Sequence, residues 1–250
     1  MPPLDSSVER VLVALVHGLR ALDVRFCVIG ALVPELLLDE RPEQATLDAD
    51  AVVFVRDLAT FERVKAGLAG FAPTKFPFRL RYEGGGRADI LPYSHELAPD
   101  GVLRLDPDYV FNMTGFDRVA ESVVEVTLQS GESVPVVIVP VYVLLKLVAF
   151  SDRKLKKDIG GVLHCLRNYA EGDERRFGLE HNGAPVPYEY GAAYLLARDA
   201  LPFVDDKLRH LIASLLHRLI PAEDDVDDEE PYRAKENREC LRWFRKGLDL

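Results

Sequence analysis

The sequence predicts an α/β (α+β) fold: a small mixed sheet with flanking helices over residues 1–139, followed by a helical half over residues 140–250. Before residue 139, apolar runs of strand length alternate with segments whose apolar residues recur every three or four positions. From Val141 onward only the helical recurrence is present. The chain has no internal repeats, which sets aside a solenoid or an array.

Ser7 to Leu22 reads as an amphipathic helix, with Ser6 or Ser7 as N-cap and Val11, Leu12, Leu15, Val16 and Leu19 on one stripe. The run RFCVIG is apolar on both faces and suits a buried central strand ending at Gly30. Ala31 to Leu38 is helical, with Pro34 confining the helix start to its first turn. A strand from Leu47 to Val55 and a helix from Leu58 to Leu68 follow. FRLRYE and RADILPY are strands on either side of Gly84, Gly85 and Gly86. That triplet has no P-loop lysine and leads into a strand, so it is a hairpin turn, not a phosphate loop. Val123 to Leu128 and Val134 to Val139 pair as another hairpin across QSGES. The helical half reads VYVLLKLVAF, KLKKDIGGVLHCLRNYA, then Tyr188 to Phe203, Asp206 to Leu219 and Ala234 to Leu248.

A chain of 250 residues with 48% hydrophobic content supports an ordinary globular core. The first residues are acidic and helically periodic, unlike a signal peptide, and no apolar run approaches twenty residues. A cytoplasmic protein without membrane association is expected. Cys27, Cys165 and Cys240 lie far apart with no CxxC, as buried or free thiols do in a reducing compartment. His164 and Cys165 are adjacent and diverge by about 100° on a helix, which sets aside a joint metal site. GxSxG is absent, so a serine hydrolase has no support. The net charge of −10 opposes nonspecific coating of nucleic acid. Much of the excess is the run Glu223 to Glu230, read as a solvated linker, while DRKLKKD and RAKENRECLRWFRK leave room for a local anion site.

Asp48 and Asp50 carry the first chemical signal. On a strand, residues i and i+2 share a face, so two carboxylates stand side by side at the mouth of an apolar element. They repel each other unless a cation lies between them or both point into water. A third carboxylate, Asp89, sits on a later strand between Ala88 and Ile90. Three carboxylates on one sheet face can hold two divalent cations about 3.5–4 Å apart, the arrangement used for in-line phosphoryl and nucleotidyl transfer.

The ordered segments Val28-Ile29-Gly30-Ala31, Arg41 with Thr46-Leu47-Asp48-Ala49-Asp50, Ala88-Asp89-Ile90-Leu91, and Leu145-Lys146-Leu147 with Arg153 to Asp158 resemble the nucleotidyltransferase superfamily of the polymerase β type. Within it they look most like the AbiEii branch, toxins of bacterial toxin–antitoxin and phage-defence systems. The resemblance covers Phe26 to Leu166 and implies a nucleotidyltransferase core over residues 1–139, with a helical domain over 140–250. It implies a metal-dependent transfer of a nucleoside monophosphate from an NTP to a hydroxyl, with an RNA (tRNA) 3' end as acceptor and a cognate antitoxin as partner. Asp48, Asp50 and Asp89 would hold Mg2+ or Mn2+. Gly30 and Ala31 would let the backbone approach the phosphates, Lys146 would contact the triphosphate, and Asp158 would lie close to the substrate.

Two departures from the family pattern bear on this. Its turn is usually Gly-Gly or Gly-Ser, here Gly30-Ala31, and Gly161 stands where a second acidic residue often follows Asp158. They keep open a catalytically inactive member that binds a nucleotide or a partner, beside a transferase acting on a small molecule or protein. Other pairings also stay open from the residues alone. Asp89 could pair with Arg87, Lys146 could snorkel, and Asp158 could form an i,i+4 pair with Lys154. On the last helix, Arg238, Arg242 and Arg245 share a face and read as a basic ridge for RNA.

Overall fold

The computed structural model describes residues 4–42, 46–170, 172, 174–179, 186–220 and 231–250. The chain divides into two compact units, Met1–Leu37 with Glu43–Ile138, and Leu38–Pro42 with Val139–Leu250.

The first unit opens with α1 (Ser6–Ala21), whose N-cap is Asp5 and not Ser6 or Ser7. The Asp5 carboxylate accepts the Ser7 N–H at 2.8 Å, satisfying a donor the helix leaves orphaned. Strand β1 (Phe26–Ile29) is buried along its whole length, as its two-sided apolar sequence predicts. Helix α2 (Leu32–Leu37) carries Pro34 in its first turn, where a missing N–H costs nothing. Strand β2 (Asp48–Phe54) and helix α3 (Leu58–Gly67) follow, the latter capped by Asp57, which accepts the Thr60 N–H at 2.7 Å. Then come β3 (Phe71–Pro73), β4 (Arg79–Tyr82), β5 (Arg87–Tyr93), β6 (Val102–Asp106), β7 (Tyr109–Asn112), β8 (Val123–Thr127) and β9 (Ser133–Val137).

Among the described residues, seven strands form one mixed sheet in the order β3-β4-β5-β2-β1-β9-β8, and β6-β7 is a separate hairpin. β2 runs parallel to β5 and β1 parallel to β9, while β1 and β2 are antiparallel. The glycine triplet turns β4 into β5 as a hairpin, with Gly85 and Gly86 at φ +88° and +94°. The segments on both sides of QSGES form the hairpin β8-β9. β3, the β6-β7 hairpin and a 3-10 turn at Phe116–Glu121 escape the sequence pattern. They are too short for periodicity to register, and β6 and its turn carry Arg104, Asp106 and Asp108.

One face of the central strands is core: Ala49, Ala51, Val53, Ala88 and Ile90 are fully buried, and Leu80 nearly so. The apolar stripe of α1 is buried as well, and α1 packs on β2 and β5. The opposite face of the same strands carries the charged residues described below.

The second unit contains α4 (Val139–Arg153), α5 (Lys156–Asn168), α6 (Glu174–Gly178), α7 (Gly191–Ala200), α8 (Asp206–Leu219) and α9 (Lys235–Gly247). The helix expected over Tyr188 to Phe203 is a shorter α7 with 3-10 turns at both ends, where Pro187 and Pro202 supply no N–H. The acidic run Glu223 to Glu230 lies outside the described residues. Cys27, Cys165 and Cys240 are buried free thiols. No helix among the described residues is long and apolar enough to cross a membrane.

Candidate active site

β2 and β5 bring the three aspartates together by register. Asp50 lies opposite Asp89 in the parallel pair, and Asp48 lies opposite Arg87. Because side chains alternate along each strand, Asp48, Asp50, Arg87 and Asp89 project from one face while Ala49 and Ala88 enter the core. The antiparallel hairpin extends that face: Arg79 lies opposite Asp89 and Arg81 opposite Arg87. Three neighbouring strands thus present three carboxylates and three guanidiniums side by side.

The pairing within this patch is specific. Arg79 Nε donates to Asp89 Oδ1 at 2.6 Å and its Nη2 to Asp89 Oδ2 at 2.7 Å, a two-pronged fork on one carboxylate. The same Nη2 lies 3.5 Å from Asp48 Oδ2. Arg87 Nε donates to Asp48 Oδ1 at 2.9 Å. The hydrogen bond to Asp89 raises the Arg79 pKa further above its already high value, against a smaller downward push from burial. Asp89 therefore pairs with Arg79 and not with Arg87, its i−2 neighbour. The reason is reach: cross-strand partners in register approach more closely than residues two apart along one strand.

Gly30 follows β1 at φ +77°, a conformation that disfavours any residue with a Cβ. A Cβ built there would stand 2.0 Å from Asp50 Oδ2. The glycine is thus required by the Asp50 carboxylate packed against it, before any phosphate is considered. Ala31 leads into α2, a helix of six residues with little macrodipole of its own. Glu35 of α2 is buried and accepts the Thr46 N–H at 3.0 Å, which anchors the approach to β2. Neither Glu35 nor Arg79 stands out in the local sequence pattern. A signal for Arg79 existed: a hairpin centred on Gly84 sets each residue opposite the one equally distant on the other side, which matches Arg79 with Asp89.

The donor types on this face suit a divalent cation, which prefers carboxylate oxygen. The side chains as positioned do not. Both oxygens of Asp89 and Oδ1 of Asp48 accept from guanidiniums, and among the described residues no group of three His, Cys, Asp or Glu side chains forms a metal-holding set.

Beside the patch, Arg81, Tyr82, Glu83, Gly85, Gly86 and Arg87 line an open recess of about 560 Å³. Arg87 thus borders the recess and touches Asp48.

Lys146 and Asp158 belong to the helical unit and meet each other there. Lys146 Nζ donates to Asp158 Oδ1 at 3.0 Å, and Arg153 donates to both Asp158 oxygens at 2.6 and 2.8 Å. The Asp158 side chain is fully buried. Burial pushes its carboxyl up, yet donation from Arg153 and the charge of Lys146 outweigh this and hold it below the usual value. Lys146 does not snorkel, since its ammonium ends on a buried anion over the Tyr142 ring. The i,i+4 pair with Lys154 is absent because α5 begins only at Lys156, and Lys154 sits before it at φ +51°. Gly161 has its own cause: a Cβ there would meet the Tyr142 hydroxyl at 2.5 Å, so any larger residue requires Tyr142 to shift.

The ridge expected on the last helix is also revised. Arg238 is buried, and its Nε and Nη1 have no hydrogen-bond partner among the described residues. Arg242 is paired with Glu239. α9 packs against α5, α7 and α8, so the covered arc is wider than its apolar stripe.

No family model matches the chain, and no curated protein matches it in sequence. Several solved structures are similar to it. One is an antigenic nucleotidyltransferase-like protein from Paracoccidioides brasiliensis, at 17% identity and TM-score 0.48, covering 87% of this chain and 91% of that one. Another is JHP933 from Helicobacter pylori, at 14% identity and TM-score 0.40, covering 98% of this chain and 95% of that one. A third is the CdnE cyclic dinucleotide synthase of Elizabethkingia meningoseptica with GTP and Apcpp, at 10% identity and TM-score 0.30, covering 98% and 93%.

Proposed function

We propose that this chain is a nucleotidyltransferase that moves a nucleoside monophosphate from an NTP to an acceptor hydroxyl. The observation that carries the reading is the in-register pair Asp50 and Asp89 on parallel β2 and β5, with Asp48 on the same face and Gly30 against Asp50. Three carboxylates gathered on one sheet face repel one another unless cations neutralise them, which Arg79 and Arg87 do here. The face thus pairs anionic groups that can take a proton or a cation with guanidiniums that can meet phosphate.

In the proposed reaction the hydroxyl oxygen attacks the α-phosphorus and the bond to the bridging β-phosphate oxygen breaks. Pyrophosphate leaves, and a carboxylate of this face takes the hydroxyl proton. Arg79, Arg81 and Arg87 supply positive charge on the same face for the phosphates. Magnesium or manganese, which the family resemblance implies, could be held by these aspartates only after Arg79 and Arg87 leave them. By the same resemblance the acceptor is an RNA 3' end such as that of tRNA, and the biological role is that of a toxin held by an antitoxin.

A second reading has an observation in its favour. The Arg79 fork on Asp89 is what a catalytically silent member would carry if it binds a nucleotide or partner with its aspartates permanently neutralised. Incubation with each α-labelled NTP, total RNA and Mg2+ or Mn2+ separates the two. Labelled RNA and released pyrophosphate are expected from wild type, and Asp48→Asn, Asp50→Asn and Asp89→Asn should each lower the rate by at least a hundredfold. An Asp89→Asn variant that labels RNA at the wild-type rate removes Asp89 from the transfer site, and wild type that labels nothing under any condition removes the transfer reading. NTP binding without turnover under any condition establishes the silent one.

A further inference from the structure

We infer that Arg79 and a divalent metal ion are alternative occupants of the Asp48–Asp89 site, so that the chain carries its own competitor for the metal. This rests on the reading of the three aspartates as a nucleotidyl-transfer site, and goes beyond it by naming what controls metal entry.

The Arg79 guanidinium spans two carboxylates from two different strands, forking onto Asp89 and reaching Asp48 at 3.5 Å. It is held from the side as well, at 5.5 Å from the Phe76 ring centroid and 6.0 Å from that of Phe78. Those rings pack against Tyr109 and Phe111 of the β6-β7 hairpin. A cation bridging carboxylates, stacked on aromatic faces, is what a metal would have to displace. Simultaneous occupancy is excluded by chemistry. The metal needs the Asp89 oxygens that the fork already uses, and two cations a few ångströms apart on a half-buried surface repel strongly.

Arg79 leaves by side-chain rotation, because its neighbour Leu80 pins β4 in the core at 1% exposure. The displaced guanidinium stays on the same sheet face, available to a phosphate. Metal affinity in the free chain is therefore set by the competition, and removing the competitor should raise it.

The test is Mn2+ binding to the full chain, followed by electron paramagnetic resonance or calorimetry without nucleotide. Arg79→Gln should bind Mn2+ at least tenfold more tightly than wild type. Arg79→Lys, which keeps a cation on β4 but cannot fork across Asp89, should tighten binding by a smaller factor and serves if the Gln variant does not fold. Asp89→Asn in the Arg79→Gln background should abolish the gain. Equal Mn2+ affinity in wild type and in a folded Arg79 variant overturns the inference, and if wild type still transfers nucleotide the functional reading survives it. Tighter Mn2+ binding in Arg79→Gln with no NTP turnover by any variant leaves the competition standing and removes the transfer reading.

Discussion

At Gly30 the backbone runs at φ +77° with the Asp50 carboxylate where a side chain would begin. Two independent constraints meet in one residue, and both act through the missing Cβ. Gly30→Ala should cost about 2 kcal/mol from the left-handed conformation alone, measurable as a lower Tm. It should also push Asp50 out of register with Asp89, so that nucleotide transfer falls by more than the loss of folded protein explains. An Ala variant with wild-type stability and activity would show that the turn relaxes freely. Arg79 and Arg87 belong to the same scale. Their long side chains decide whether the aspartates face a substrate or an internal partner, although no single-strand pattern names them as functional.

The α4–α5 pair is organised around one buried carboxylate. Asp158 is fully buried and receives Lys146 and Arg153, so a charge that burial disfavours is held ionised by two donors. With the folded-state pKa below the unfolded value, the ion cluster stabilises the native state fully above about pH 4. That contribution is lost as pH falls through the depressed folded value. Asp158→Asn should therefore flatten the acid limb of the stability profile. At pH 7 it should cost about 3 kcal/mol, because Lys146 is left with an uncompensated charge at 15% side-chain exposure. Urea denaturation of both proteins at several pH values checks this, and an unchanged acid limb would mean that Asp158 is not the group being titrated. Lys146 is accounted for by this cluster, and Gly161 by the Tyr142 hydroxyl above it. Both features have a cause in helix packing.

For the molecule as a whole, the net charge of −10 sets a long-range repulsion against any polyanion. An RNA acceptor must then be drawn in by a local basic surface. With Arg238 buried and Arg242 paired, the exposed lysines Lys154, Lys156 and Lys157 are the better candidates in the helical unit. Changing all three to Glu should weaken RNA labelling about tenfold at low salt and flatten its dependence on salt concentration, while the KM for NTP stays near wild type. RNA labelling with the wild-type salt slope would assign docking elsewhere on the chain.

Recurrence along the chain was enough for β1, β2, the β4-β5 and β8-β9 hairpins and the helices of the second unit other than the five-residue α6, which is too short to show a period. The i,i+2 and i,i+3/i+4 rules depend only on neighbours in sequence. The same rule puts Asp48 and Asp50 on one face, and Asp89 stands between Ala88 and Ile90 on a later strand as the third carboxylate. Local pattern could not decide which cation meets which carboxylate. Arg79 with Asp89, Arg87 with Asp48, and Lys146 and Arg153 with Asp158 are set by strand register and helix packing, which bring together residues up to 39 apart in sequence. Nor could it tell that Arg238 is enclosed, because the buried arc of α9 depends on how many helices surround it. The aspartates were legible because alternation is local; their partners were not, because an ion pair belongs to whichever side chains the fold brings within reach.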